Sequence, residues 1–156
     1  WLRLSTAQEK KDIGITEVDD PKTYDSRFYW GDGTAKALDD EDAKDEDGKL
    51  IKNEDGSQMV IKGVKSVLKA QEKTIAGSLL AKYDWYIVRK AEKGTAIPTA
   101  ITTYRDGVRT ACNTRETEIN NCKDTVALVT LYGATYDKDG NFEKFNMTQY
   151  PVDPNS

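Results

Sequence analysis

The sequence predicts an α+β fold: a small antiparallel helical bundle flanked by N-terminal and C-terminal β-hairpin elements. Two apolar stripes and a set of Asp-Gly turns predict it. Val64, Leu68, Ile75, Leu79 and Tyr83 recur at helical spacing, with Lys and Glu between them. Ile97, Ile101, Tyr104, Val108 and Ala111 give a second helix one apolar face. On either side of these stripes, aromatic residues stand close to turn signals at Gly31-Asp32-Gly33 and at Asp137–Gly140. Short-looped helices cannot bury their stripes alone and must pack on each other. Four regions follow. They are an N-terminal cap with a short helix and strands (1–38), an acidic loop and hairpin (39–62), a helical bundle module (63–130), and a C-terminal hairpin with an extended tail (131–156).

In the cap, Thr6 and Glu9 form a capping-box pattern, so a short helix follows and stops near Gly14. Ile15-Thr16-Glu17-Val18 alternates like a strand and Pro21 breaks it. Arg27-Phe28-Tyr29-Trp30 is a second strand, ended by Gly31-Asp32-Gly33. Between Asp39 and Gln58, nine carboxylates stand against three lysines, although the whole chain carries a net charge of only -4. Glu46-Asp47-Gly48 recurs there as Glu54-Asp55-Gly56, and Asp-Gly is a strong turn signal. Residues 49–52 and 58–61 are expected to pair as a hairpin, with the acidic stretch before them as a solvated loop.

The first long helix carries Gly77, which costs about 1 kcal/mol relative to Ala; close approach of another helix, or a simple defect, accounts for it. A break follows at Lys82 to Asp84. Asp84 is expected to N-cap a short helix from Trp85 towards Lys93, which Gly94 terminates. Pro98 stands near the start of the next helix, where its missing N–H costs nothing. Asn113 with Glu116 suggests a fresh cap, and Ile119 and Cys122 continue a final short helix. Beyond Val126 the pattern turns towards β. Tyr132, Tyr136, Phe142, Phe145 and Tyr150 are spaced like hairpin residues, and Pro151 to Ser156 form an extended tail.

Composition excludes several functions. The chain of 156 residues contains no histidine, which removes Ser-His and Cys-His nucleophilic pairs and nearly all catalytic zinc sites. Gly31-Asp32-Gly33 lacks the following helix and third glycine of a dinucleotide fingerprint. Asp45, Asp47, Gly48 and Glu54 fit four positions of a calcium-loop template, but its first ligand position falls on Ala43, which has no side-chain oxygen. No enzyme activity, cofactor or metal is therefore expected. No block of positive charge suggests nucleic acid, and no apolar run suggests a membrane span. Cys112 and Cys122 are too few for a disulfide framework and read as small apolar residues on helices rather than a redox pair. The chain starts at Trp1 rather than Met, which reads as a truncated, processed or fragmentary chain.

The stretch from Ser78 to Arg109 carries Ser78-Leu79-Leu80, Asp84-Trp85, Ile97-Pro98, Tyr104-Arg105 and Val108-Arg109 in that order. It resembles the module of phage tail fibre assembly and tail assembly chaperone proteins. There, a helix ends in a Leu-rich turn, followed by an Asp-Trp pair, a spacer, and a Tyr-Arg pair with another Arg four residues on. It is also similar to small tail proteins of marine phages, in which such a module follows an acidic Asp-Gly-rich hairpin and a Tyr-Trp strand; Arg27 to Trp30 match that strand. The resemblance covers about the middle half of the chain. Family members often end in a Trp-Pro element, whereas this chain has Tyr150-Pro151.

The same residues have a physical reading. Asp84 caps the helix that Trp85 begins, and Trp85 buries against Leu79 and Val108. Tyr104 lies on an apolar face. Arg105 and Arg109 are one helical turn apart and point the same way, and one of them reaches back to Asp84 to tie two helices together. The alternative is that both arginines flank a groove gripping a partner chain. The resemblance implies a structural, fibre-associated virion protein of the phage tail, made in the host bacterial cytoplasm and acting on a tail fibre or other tail protein. Two other roles fit: a tail fibre assembly chaperone that leaves before the virion matures, and a tail-tip receptor-binding adhesin using aromatics such as Tyr132 or Tyr150. By analogy with fibres, a homo-oligomer is also an expected arrangement.

Overall fold

A computed structural model describes residues 6–14 and 23–155. The strand expected at Ile15–Val18 and the break at Pro21 lie outside the described residues. Helix α1 (Ala7–Asp12) begins with the expected capping box: the Thr6 hydroxyl accepts from the Glu9 N–H, and the Glu9 carboxylate accepts from the Thr6 N–H at 2.8 Å. Two short strands follow, β1 (Tyr29–Gly31) and β2 (Thr34–Ala35), paired antiparallel. Arg27 and Phe28, expected in the strand, instead form the turn before it. That turn drives Phe28 fully into the core.

The acidic region is more ordered than a solvated loop. Strand β3 (Glu41–Asp42) pairs antiparallel with β4 (Val60–Ile61), and isolated bridges join Lys44 to Leu50 and Lys52 to Gln58. Ala43, Ile51 and Met59, spaced eight apart, close a ring of backbone bonds. The Ala43 N–H donates to Met59 (2.8 Å), Ile51 to Ala43 (2.9 Å) and Met59 to Ile51 (3.0 Å). The repeated Glu-Asp-Gly units form the turns between these segments. Gly48 and Gly56 take φ of 78° and 83°, which L side chains rarely adopt. The period of eight therefore builds a small three-segment lobe. Lobe and bundle are joined where the Val64 and Lys65 N–H groups donate to Ala37 and Leu38, and where the Asp40 carboxylate accepts from Gly63.

Four helices make the bundle: α2 (Val64–Ala81), α3 (Asp84–Lys93), α4 (Thr99–Asn121) and α5 (Thr125–Leu131). Two expectations fail here. Asn113 does not start a new helix, because α4 runs unbroken through it; the Asn113 carbonyl accepts from the Thr117 hydroxyl one turn later. The turn towards β comes later than Val126: the chain is helical to Leu131 and β only from Ala134, because the Asp124 carboxylate caps α5 by accepting from the Ala127 N–H at 2.7 Å. The stripe on α2 is also rotated. Val64, Leu68, Glu72 and Ala76 are buried, whereas Ile75 is exposed. Gly77 meets open space, so no neighbouring helix explains it.

Two apolar clusters fill the bundle. One joins Phe28, Val64, Leu68, Ile119, Cys122, Leu128 and Met147; the other joins Ala76, Tyr83, Ile101, Tyr104, Val108 and Cys112. The two cysteines are free, buried thiols in separate clusters. The C-terminal hairpin pairs β5 (Ala134–Tyr136) with β6 (Phe142–Phe145) around the expected Asp137–Gly140 turn. Tyr132 and Tyr150 are not part of it. Tyr132 packs on Phe28 with ring centroids 5.8 Å apart, and Tyr150 packs on the second cluster. The chain after β6 is a strap across the bundle. Thr148 bonds Glu118 through its N–H and its hydroxyl, and the Asp153 carboxylate accepts from the Tyr83 hydroxyl and the Lys82 ammonium. Among the described residues, no helix is long and apolar enough to cross a membrane.

Candidate functional site

The five residues singled out in the sequence divide into an inner clasp and an outer surface. Tyr104 is buried and meets Tyr83 edge to face, with centroids 5.5 Å apart. Arg105 is only 7% exposed. Its Nη1 lies 2.8 Å from the Asp84 carboxylate and donates to the Leu80 carbonyl at 2.7 Å. One guanidinium on α4 thus holds the last turn of α2 and the first residue of α3 together. This is the clasp expected between Asp84 and an arginine.

Three parts of that expectation are corrected. Asp84 is the first residue of α3 and not its cap; Tyr83 holds the cap position, without a side-chain bond. Arg109 does not work beside Arg105. It lies on the surface and pairs with Asp106 within its own helix at 3.1 Å. Trp85 is 50% exposed and does not join Leu79 and Val108; Tyr86 packs against that cluster instead. With Asp84 turned to Arg105 and Tyr86 to the core, the position between them faces water.

Helix α3 consequently buries none of its residues fully, yet it carries Trp85, Ile87 and Val88 in exposed positions. The Trp85 and Tyr86 rings lie 3.8 Å apart, and the Arg89 guanidinium sits 4.8 Å from the Trp85 centroid. The indole is therefore held in place although half of it faces solvent. Sequence reading missed Tyr86, Ile87, Val88 and Arg89. The available signal was the continuous run Trp85-Tyr86-Ile87-Val88, which is too apolar all round for a helix with one buried stripe.

A second missed feature lies between the two apolar clusters. Glu72, 2% exposed, accepts from Arg115 Nε at 2.6 Å and Nη2 at 2.9 Å. The Tyr132 and Tyr150 hydroxyls each donate to it at 3.2 Å, and Arg115 Nη1 donates to the Thr148 carbonyl. Burial alone would push the Glu72 carboxyl up. The Arg115 hydrogen bonds and charge, with the two phenols, outweigh it and leave the group below the usual carboxylate range. Burial and the Glu72 charge push both phenols well above the ordinary tyrosine value. The carboxylate thus has no lone pair left facing an open cleft, and the network serves as a polar joint between α2, α4, α5 and the strap.

The C-terminal hairpin presents a second aromatic surface. Tyr136, Phe142 and Phe145 are exposed, with Phe142 4.9 Å from Phe145 and 6.2 Å from Tyr136. Among the described residues, no group of three or more His, Cys, Asp and Glu converges to hold a metal ion. No family model matches the chain, and no curated protein or solved structure matches it significantly.

Proposed function

We propose that the chain is a structural, fibre-associated component of a bacteriophage tail that acts through protein–protein contacts and not through catalysis. The observation that carries this reading is α3. Its first residue is clamped by Arg105, and it holds Trp85, Ile87 and Val88 towards solvent. An exposed apolar patch on an anchored helix, here led by Trp85 and Val88 one turn apart, is the form an interaction surface takes, and Trp and Arg are among the residues enriched where binding energy concentrates. Asp84 and Arg105, one from each of the pairs that carry the resemblance to tail assembly modules, build this clamp, and Trp85 lies on the surface beside it. The buried charges support a binding role as well, since Glu72 and Arg115 are bound to each other and to the strap rather than turned to an open cleft.

The adhesin reading finds its support at the C-terminal hairpin, where Tyr136, Phe142 and Phe145, not Tyr132 and Tyr150, are the aromatics open to a ligand. Virion residence is tested by quantitative mass spectrometry of purified particles of the encoding phage. Stoichiometric copies relative to the fibre protein are expected. Absence from particles, combined with loss of fibre solubility when the chain is omitted from co-expression, would replace this reading with that of an assembly chaperone.

A further inference from the structure

We propose that the chain self-associates head to tail, with the acidic lobe of one copy seated in a lysine-flanked apolar trough on α2 of the next. This inference goes beyond the tail reading and does not depend on it. The trough runs along the outer face of α2 with a volume of about 890 Å³. Half-exposed Val67 and Ile75 supply its apolar surface, and Lys62, Lys69 and Lys73 flank it. None of its lining residues is acidic. Past Gln71 it continues to a second hollow bordered by Trp30 and Lys36.

The lysines are tethered but not used up. Lys62 pairs with Asp40, Lys69 donates to the Asn120 amide oxygen, and Lys73 stands 3.5 Å from Glu116. Each ammonium carries three donors, and one partner leaves the others available.

The lobe offers the complementary chemistry. Residues 39–58 carry nine carboxylates against three lysines. Glu46, Asp47 and Glu54 stand exposed at its turns, and Leu50, Ile51 and Met59 are exposed beside them. Each surface therefore has the charge and the apolar area that the other would cover. A lobe cannot fill its own trough, because the bonds from Ala37, Leu38 and Asp40 fix it at the N-terminal end of α2, and no residue of 42–59 lines the trough. Face-to-face pairing of two α2 helices is disfavoured, since it sets lysine against lysine. What remains is a heterologous contact, which closes into a ring or continues as a chain.

Sedimentation velocity of the full chain at about 0.05 M and about 0.5 M salt tests this. Mass should rise with concentration at low salt, and association should weaken at least ~10-fold at high salt, because exposed charges are screened. Two variants address the two surfaces: Lys69→Glu with Lys73→Glu in the trough, and Glu46→Lys with Glu54→Lys in the lobe. Each alone should be monomeric with unchanged circular dichroism. Mixed, they should associate again, because the intact lobe of the first variant fits the intact trough of the second, and a mixture that stays monomeric overturns the proposal. A chain that stays monomeric at every concentration and low salt overturns the proposal, as does association that either variant leaves unchanged. If a variant loses its helical signal, the wild-type salt series decides alone. Binding of an acidic partner peptide to a chain that remains monomeric would assign the trough to a different occupant and also overturn it.

Discussion

Arg115 grips Glu72 with hydrogen bonds of 2.6 and 2.9 Å at the level where the two apolar clusters of the bundle meet. Leu68 and Ala76 lie one turn to either side of Glu72 on α2, and both are core residues. Removing one member leaves a buried charge without its partner, which costs about 3–5 kcal/mol. Glu72→Leu should therefore lower the urea-unfolding free energy by that amount. Adding Arg115→Met should recover part of the loss but not all, because the Tyr132 and Tyr150 hydroxyls and the Thr148 carbonyl stay unpaired. A double variant whose loss equals the sum of the Glu72→Leu and Arg115→Met losses would show that the pair is not coupled.

Acid should loosen the strap. Lys82, Tyr83 and the Asn155 N–H hold the Asp153 carboxyl down from its ordinary 3.8 to about 2. A carboxyl whose folded pKa is depressed contributes stability above its unfolded value and loses it as pH falls through the folded one. The Asp153 contribution is thus complete above about pH 4 and fades towards pH 2. Glu72 adds a loss of the same sign, since its pKa is also lowered. Asp153→Asn should flatten the acid limb of the stability profile in that window. An unchanged limb in the variant would show that Asp153 does not hold the strap in solution.

The two arginines of the resemblance should separate in a stability measurement. Arg105→Ala leaves the Leu80 carbonyl and the Asp84 carboxylate without their partner and should cost about 2–3 kcal/mol. Arg109→Ala removes only an exposed pair with Asp106 and should stay within about 0.5 kcal/mol. Equal losses would restore the expectation of twin guanidinium groups acting together.

Two glycines should respond in opposite directions. A Cβ at Gly77 meets nothing within 4 Å, so Gly77→Ala should stabilise α2 by about 0.5–1 kcal/mol. A Cβ at Gly63 would fall 2.4 Å from the Asp39 backbone, so Gly63→Ala should destabilise by about 1–3 kcal/mol through forced backbone movement. Thermal melts of the two variants check both signs.

The sequence was most legible where a signal is local. The Thr6–Glu9 box, the Asp137–Gly140 turn and the apolar face of α4 all depend on neighbours within one or two turns. It was least legible where a distant partner decides. Glu72 looks like a solvated charge until Arg115, 43 positions later, is packed against it. Trp85 has the largest apolar surface of its segment, but Tyr86 takes the inward position once Asp84 is drawn to Arg105. The Glu-Asp-Gly repeat is local, whereas its closure into a ring depends on the period that sets Ala43, Ile51 and Met59 eight apart. Helix α5 differs in kind: its Asp124 cap is a local signal, but the seven-residue helix it starts is followed directly by the aromatics of the β region, whose spacing dominates the pattern.

Photo-crosslinking from position 88 of α3, within assembled phage particles, tests the docking surface most directly. A benzophenone side chain at Val88 should give an adduct with another tail protein. Trp85→Ala should abolish that adduct while changing stability by less than about 1 kcal/mol, because the indole is half exposed and its cation–π contact is weak. Particles that contain the chain but yield no adduct from position 88, or the same adduct without Trp85, would contradict the proposal that this protein joins a phage tail through α3.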